Sequence, residues 1–206
     1  MEADLTPAGR RILDTAAGLF YDQGLHAVGV DTIAREAGVT KKTLYDRFGS
    51  KDELIAAYLR ERDERWRDQL TRTVERADGP RERILATFDA LGAWMNAENP
   101  RGCAFVNAFA ELPDPAHPGH RVAADQKQWL LDYLTRLATG AGLPRPKTIG
   151  RRLLLLHEGA TVAYGTGLMP TAAKEARAAA ESLIGDPAVT PPGAPPRSSG
   201  RRSRTR

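Results

Sequence analysis

The sequence predicts an all-α protein of about nine helices. Proline and glycine punctuate the chain, and apolar residues recur at helical spacing between these breaks. No segment shows the sustained apolar–polar alternation of a half-buried β-strand. With 206 residues and 41% hydrophobic content, the chain can bury the core of one domain, or of a small module and a larger one.

The first helix is predicted to begin at Pro7. Thr6 before it is a suitable N-cap, and proline is favoured at the first helical position because its missing N–H would have no partner there. Gly24 marks the end of the helix. Its apolar stripe comprises Ile12, Ala16, Leu19 and Phe20.

Two short helices separated by a tight turn follow. The second is predicted over 31–37 with Gly38 as its stop, and the third begins after Thr40 and runs to residue 48. Thr40 is a good N-cap, and Val39 can pack on Leu44 to fix the angle at which the chain enters the helix.

Lys41 and Lys42 occupy the first two positions of this third helix. The partial positive charge of a helix N-terminus makes a cation there unfavourable by roughly 0.3 to 1 kcal/mol. Folding alone gives no reason for this placement, whereas an anionic partner does. The first residues of a recognition helix are those that reach base edges and phosphates in the major groove of DNA.

The remaining elements are a long fourth helix and five more. Ser50 and Glu53 form a capping box that starts the fourth helix, which runs to about residue 77 and is heavily charged. Beyond the Gly79-Pro80 break, further helices are predicted over 81–97, 101–111, 120–139, 147–167 and 171–185.

The last two predicted helices are rich in small and apolar residues. The helix over 147–167 is apolar on most sides, so it must be buried on more than one side. It and the helix over 171–185 are slim enough to form half of a four-helix bundle across a two-fold axis. An ordinary helical hairpin in the core of a monomer is the alternative.

The run from Gly38 to Lys51 resembles the DNA-binding domain of the tetracycline-repressor (TetR) family of bacterial transcription regulators. Tyr45, Phe48 and Lys51 occupy the places of the family's recognition-helix tyrosine, the aromatic residue four positions after the leucine, and the lysine that opens the next helix. Gly29 is a departure, because many members carry serine or threonine at the start of the second helix.

For that second helix, Asp31 or Thr32 could replace the missing cap. The resemblance implies a homodimeric regulator, most often a repressor, that binds a palindromic double-stranded operator and is released by a small hydrophobic effector. Base-edge or adjacent contacts are assigned to residues 41–43 and phosphate contacts to others. The predicted DNA-binding residues are Thr32, Thr40, Lys41, Lys42, Thr43, Tyr45 and Lys51.

The predicted domains are a helix-turn-helix DNA-binding domain over 1–50 and an effector-binding and dimerisation domain over 51–186, with 51–77 as its connecting helix. Large aromatic and a few polar side chains of the second domain suit a pocket for an apolar ligand, although each suits a plain core equally well. The predicted effector-binding residues are Phe88, Trp94, Cys103, Asn107, Trp129, Tyr133, His157 and Tyr164.

The sequence pI of 9.4 comes from the C-terminal tail. Residues 187–206 hold five arginines and no acid, so removing them from the 30 basic residues leaves 25 against 26 acidic ones. The tail is rich in proline and polar residues and is predicted to be disordered. Global charge is therefore poor support for DNA binding, whereas the basic cluster over 39–51 is better support.

Other classes of site are not expected. His117 and His120 have a spacing that could supply two metal ligands, but proline and glycine around them indicate a loop, and we expect no metal or cofactor. Cys103 has only Arg101 as a nearby cation in the sequence, which favours a quiet buried thiol over a redox sensor. No nucleophile triad or phosphate-binding glycine loop indicates an enzyme.

The acidic first four residues lack a signal-peptide pattern and no apolar run is long enough to span a membrane, so we expect a cytoplasmic protein. The alternatives are a small-molecule-binding or enzymatic helical protein, and a non-specific DNA compactor that acts through the arginine tail.

Overall fold

The computed structural model describes residues 5–98 and 101–185. These residues form helices and no strand, which confirms the predicted all-α class. The nine helices within the described ranges are α1 (Pro7–Gln23), α2 (Val30–Glu36), α3 (Lys41–Phe48), α4 (Lys51–Glu75), α5 (Pro80–Glu98), α6 (Ala104–Glu111), α7 (Pro118–Gly140), α8 (Pro146–Gly165) and α9 (Ala172–Ile184).

The observed helix ends lie close to the predicted ones except at α6. This helix begins at Ala104 rather than at residue 101, because Gly102 turns the chain with φ of +82° and Cys103 becomes the N-cap. Helix α4 ends at Glu75 rather than at 77. The predicted disordered tail over 187–206 lies outside the described residues.

Three predicted N-caps are present. The hydroxyl oxygens of Thr6, Thr40 and Ser50 accept hydrogen bonds from backbone N–H groups three residues later, at 3.3, 3.1 and 3.0 Å. The capping box is only half formed, because the Ser50 amide donates to the Phe48 carbonyl and the Glu53 carboxylate lies 3.6 Å from Arg60.

The predicted replacement cap of α2 was wrong. Helix α2 begins at Val30 with Gly29 as N-cap, and no side chain hydrogen-bonds to its first turn. Asp31 and Thr32 lie inside the helix, where Asp31 pairs with Lys41 instead. A side-chain cap acts from the residue before the first turn, so a helix that starts one residue earlier than predicted removes both candidates.

Two hydrophobic clusters meet along α4. Leu54, Tyr58 and Leu59 pack with α1, α2, α3 and α6, whereas Trp66 and Leu70 pack with α5, α7, α8 and α9. The core therefore divides part-way along α4. None of the helices within 5–98 and 101–185 has the length and apolar character needed to cross a membrane.

Candidate nucleic-acid interface and cavity

The turn between α2 and α3 is tight and well bonded. Gly38 has φ of +64°, a left-handed conformation that glycine adopts without strain. The Val39 amide donates to the Ala34 carbonyl at 3.0 Å, which closes the end of α2. Ile33 and Leu44 are fully buried, so they fix α2 and α3 against the rest of the N-terminal cluster.

Most of the exposed residues of α3 lie on one arc of the helix. Lys41, Lys42 and Asp46 are exposed, and Tyr45 is 40% exposed, which is unusual for a large aromatic side chain. At 100° per residue these four side chains span less than half of the helix circumference. The structure therefore brings most of the predicted DNA-contacting residues of α3 to one accessible face.

The two lysines have acidic partners in the folded chain. Lys41 Nζ lies 3.1 Å from Asp31 Oδ2, and Lys42 Nζ lies 2.7 Å from Asp46 Oδ2. Exposed pairs of this kind contribute about 0.3 to 0.5 kcal/mol, which is comparable to the cost of a cation at a helix N-terminus. The premise that folding gives no reason for their placement was therefore wrong.

The other predicted contact residues flank this face. Thr32 is half-buried in the first turn of α2, Thr43 is half-buried in α3, and Thr40 is exposed at its N-cap. Lys51 is the first residue of α4, and its partial burial lowers the pKa of its ammonium group, while Asp52 and Glu111 oppose that shift. All seven lie in or beside the first turns of α2, α3 and α4.

A small cavity lies between α4, α5, α6, α7 and α8. Its volume is about 30 Å³, which is room for about two water molecules. Three predicted effector-binding residues line it, namely Trp94, Cys103 and His157.

The other five predicted effector residues lie elsewhere. Phe88 is buried behind the cavity wall with its ring centroid 4.5 Å from that of His157. Asn107 lines a separate cleft of about 330 Å³ between α1, α4 and α6. Trp129 and Tyr133 stack on each other at 5.1 Å, and the Tyr164 hydroxyl donates to Asn96 at 3.0 Å.

The polar groups of the cavity were not predicted from the sequence. Lys127 Nζ donates to both carboxylate oxygens of Glu158, at 2.8 and 2.9 Å, and to Cys103 Sγ at 3.6 Å. Gln126 and Arg62 are buried and also line the cavity. The expectation that Cys103 has only Arg101 as a neighbouring cation was wrong, because Lys127 reaches it from α7.

A sequence signal for two of these residues exists. Gln126 falls at the inner-face spacing of α7, three residues after Ala123 and four before Leu130. Arg62 holds the equivalent place on α4, three residues after Leu59 and four before Trp66. A polar residue inside an apolar stripe indicates a buried polar group, which needs a partner or a ligand.

His157 is a neutral histidine at the cavity wall. It is fully buried, and this burial lowers the pKa of its imidazole to about 3, with a smaller contribution from the Lys127 ammonium. Its Nε2 atom lies 3.2 Å from the Thr87 hydroxyl oxygen.

Tyr21 of α1 links the cavity to the N-terminal module. The Arg62 guanidinium lies 4.6 Å from the centroid of the Tyr21 ring. The Tyr21 hydroxyl donates to the Gly102 carbonyl and accepts from the Arg101 amide, both at 3.0 Å. Tyr21 therefore contacts Arg62 in the cavity wall and the two residues that precede the cavity-lining Cys103.

The histidines considered as metal ligands are engaged in loop contacts. His117 Nδ1 accepts from the Gly119 amide at 3.0 Å and so caps α7, and its Nε2 lies 3.3 Å from Asp52. His120 Nδ1 lies 2.7 Å from the Leu112 carbonyl oxygen. Within 5–98 and 101–185, no three potential metal ligands come together.

Comparisons with known proteins agree with this architecture. Residues 12–58 match the family described as bacterial regulatory proteins, tetR family. The crystal structure of SCO4454, a TetR-family transcriptional regulator from Streptomyces coelicolor, is 37% identical, covers 86% of this chain and 94% of that one, and superimposes with a TM-score of 0.80. The chain belongs to the TetR family. It is therefore a DNA-binding transcriptional regulator with an N-terminal helix-turn-helix.

Further relatives of this TetR-family chain are also regulators. A TetR-type regulator from Streptomyces avermitilis, sav143, is 32% identical with a TM-score of 0.74, and the match covers 85% of this chain and 98% of that one. The HTH-type transcriptional regulator YjdC of Escherichia coli K12 is 25% identical over 151 residues, which are 72% of this chain and 78% of the relative. These relatives are transcriptional regulators rather than enzymes.

Proposed function

We propose that the protein is a ligand-responsive repressor that binds a palindromic operator as a homodimer and is released by a small effector. The observation that carries this proposal is the Tyr21 junction, in which Tyr21 of α1 contacts Arg62, which lines the cavity, and Gly102, which directly precedes the cavity-lining Cys103. A change of cavity shape would move α1, and α1 packs against the helix-turn-helix. An effector that binds one position of α1 more tightly than another is sufficient to regulate DNA binding.

The exposed arc of α3 is the proposed reader of the operator. Lys41, Lys42 and Thr43 are assigned to base edges or neighbouring contacts, and Thr40, Tyr45 and Lys51 to phosphates, with Thr32 on the flanking helix α2. On binding, each lysine would exchange its exposed carboxylate partner for DNA.

The exposed stripe of α8 supports a dimer through α8 and α9. Leu155 is 71% exposed and Val162 is 52% exposed, seven residues apart on one side of the helix. Gly159 lies between them, and a Cβ atom there would meet nothing within 4 Å. Exposed apolar side chains beside a glycine allow a second helix to approach closely, as a symmetric dimer requires.

The residues that line the cavity indicate the chemistry of the proposed effector. Its lining combines aromatic rings with charged and amide groups, so the ligand we propose is small and carries a polar group in addition to apolar surface.

We retain residues 1–50 and 51–186 as the proposed DNA-binding and effector-binding domains, with α4 shared between their cores.

Selection of bound sequences from a random DNA pool by the full chain tests this function. We expect an enriched palindrome whose half-sites are about one helical turn apart or a multiple of it, with enrichment lost when an effector is added. Failure to enrich any sequence would refute the proposal. Deleting 187–206 tests the alternative of a compactor, which would lose binding, whereas a specific regulator loses only a general electrostatic contribution.

A further inference from the structure

The cavity contains the single cysteine of the chain. Cys103 is half-buried, lines the cavity and is the N-cap residue of α6, although its side chain makes no capping hydrogen bond. The N-terminus of a helix carries partial positive charge, which favours negative charge on a nearby sulfur.

Lys127 places a full positive charge beside this sulfur. Its Nζ atom lies 3.6 Å from Cys103 Sγ and also bonds to Glu158. Burial alone would lower the pKa of Lys127, but attraction to Cys103 and Glu158 outweighs burial and raises it, so the side chain remains an ammonium. Glu158 competes with the sulfur for this cation.

Gln126 supplies an independent sign of a ligand. The side chain is only 3% exposed and lines the same cavity, and its Oε1 atom has no hydrogen-bond partner among the described residues. A buried acceptor without a donor is costly, so the occupant that fits this position has an N–H or O–H group.

We propose that Cys103 is a covalent modification site for small α,β-unsaturated carbonyl compounds that also carry an N–H or O–H group, with Lys127 positioned to stabilise the thiolate and Gln126 positioned to accept a hydrogen bond from the bound molecule. The proposal names an effector chemistry for the cavity, and its regulatory consequence rests on the proposed repressor function.

The reaction is an addition that needs no oxidant or reductant. The Cys103 thiol gives its proton to solvent, and the thiolate attacks the β-carbon of the ligand to form a C–S bond. The π electrons of the C=C bond shift towards the carbonyl as an enolate, which takes one proton from water at the α-carbon. The net change is addition of S–H across the double bond.

An adduct would act on the DNA-binding module through the adjacent turn. Gly102, directly before Cys103, accepts the Tyr21 hydroxyl bond, and Gly165 of α8 packs so closely on Gly102 that an added Cβ would lie 2.7 Å from its Cα. Because the cavity has room for about two water molecules, an adduct that lies inside it would displace its walls. The turn held by Tyr21 directly precedes Cys103, which lines the cavity.

The rate of alkylation of the full chain by acrylamide, followed by intact mass, tests the chemistry. Acrylamide is small and carries N–H donors for Gln126. We expect one adduct on Cys103, none on Cys103→Ser, a rate about tenfold lower for Lys127→Met, and recovery of most of the rate in Lys127→Arg. Glu158→Gln should react faster than wild type, because the Lys127 ammonium then has the sulfur as its only anionic partner in the cavity.

Several results would overturn this part of the proposal. They are no adduct, an unchanged rate in Lys127→Met with its fold verified by circular dichroism, or a slower rate in Glu158→Gln. A purely structural role of the Lys127–Glu158 pair predicts that both variants change the rate in the same direction.

Operator binding is measured separately, on DNA selected with the unmodified protein. Complete alkylation should weaken binding by about 5- to 150-fold, the usual range of coupling between sites, while acrylamide should leave the affinity of Cys103→Ser unchanged from its own untreated value. Alkylation without loss of affinity would refute the regulatory consequence. Absence of any selected operator would instead refute the repressor function and leave the labelling result standing.

Discussion

The neutral imidazole of His157 should make the protein lose stability in acid. The pKa of this group is 6.5 as a model value and about 3 in the fold, where it is fully buried. Below pH 6.5 the unfolded chain therefore takes up a proton that the folded protein does not bind. The free energy of unfolding consequently decreases as the pH falls from about 6.5 towards 3. At 1.36 kcal/mol per pH unit, the loss is about 2 kcal/mol at pH 5.

Urea unfolding of wild type and His157→Gln at pH 8 and pH 5 measures this contribution. Glutamine keeps a polar group for Thr87 but does not titrate, so the difference in unfolding free energy between the two proteins should shrink by about 2 kcal/mol at the lower pH. Burial also raises the pKa of Asp63, but this group titrates in both proteins, so its effect cancels in the difference between them.

A constant difference across this range would refute the reasoning. If His157→Gln does not fold, nuclear magnetic resonance of the wild type provides the second measurement. The imidazole signals of His157 should keep the shifts of the neutral form down to pH 5, and a titration midpoint near 6.5 would contradict the assigned burial.

Three further predictions concern the DNA-binding face, the dimer and the junction. Lys42→Ala should weaken operator binding and relax the sequence preference at one base position, while Asp46→Ala, which frees the lysine, should strengthen binding; an unchanged operator affinity and sequence preference in Lys42→Ala would contradict the assigned contact. Leu155→Glu should shift the protein to monomer in sedimentation velocity, whereas the control Leu5→Glu should not, and a dimeric Leu155→Glu would exclude this interface. Tyr21→Phe should destabilise the fold by roughly 1 kcal/mol in urea unfolding and weaken the response to effector, and a full response would show that coupling bypasses the hydroxyl.

The helices and most of their caps were predictable because their signals are local. Thr6, Thr40 and Ser50 each act on an amide three residues away, so spacing alone predicts the bond. The absence of a side-chain cap on α2 could not be predicted in this way. Gly29 shows that a capping side chain is missing at that position, but it does not show at which residue the helix begins.

The cavity was not predictable in the same way because its groups meet in space. Cys103, Lys127 and Glu158 come from α6, α7 and α8, and their contact depends on how three helices cross. Aromatic content indicated a pocket, yet Trp129 and Tyr133 stack on each other elsewhere, which no spacing rule distinguishes. Gln126 was the one polar cavity residue on α7 whose position in an apolar stripe could have revealed it.

The small volume of the cavity also sets the sensitivity of the protein to its effector. A molecule larger than the 30 Å³ cavity that binds wholly inside it requires an expanded conformer, so its apparent dissociation constant is the intrinsic constant divided by the fraction of that conformer. An expanded conformer populated at about 1% would weaken reversible binding about a hundredfold. Substitutions that trim the lining, such as Leu91→Ala, should therefore lower the effector concentration at which the regulator responds.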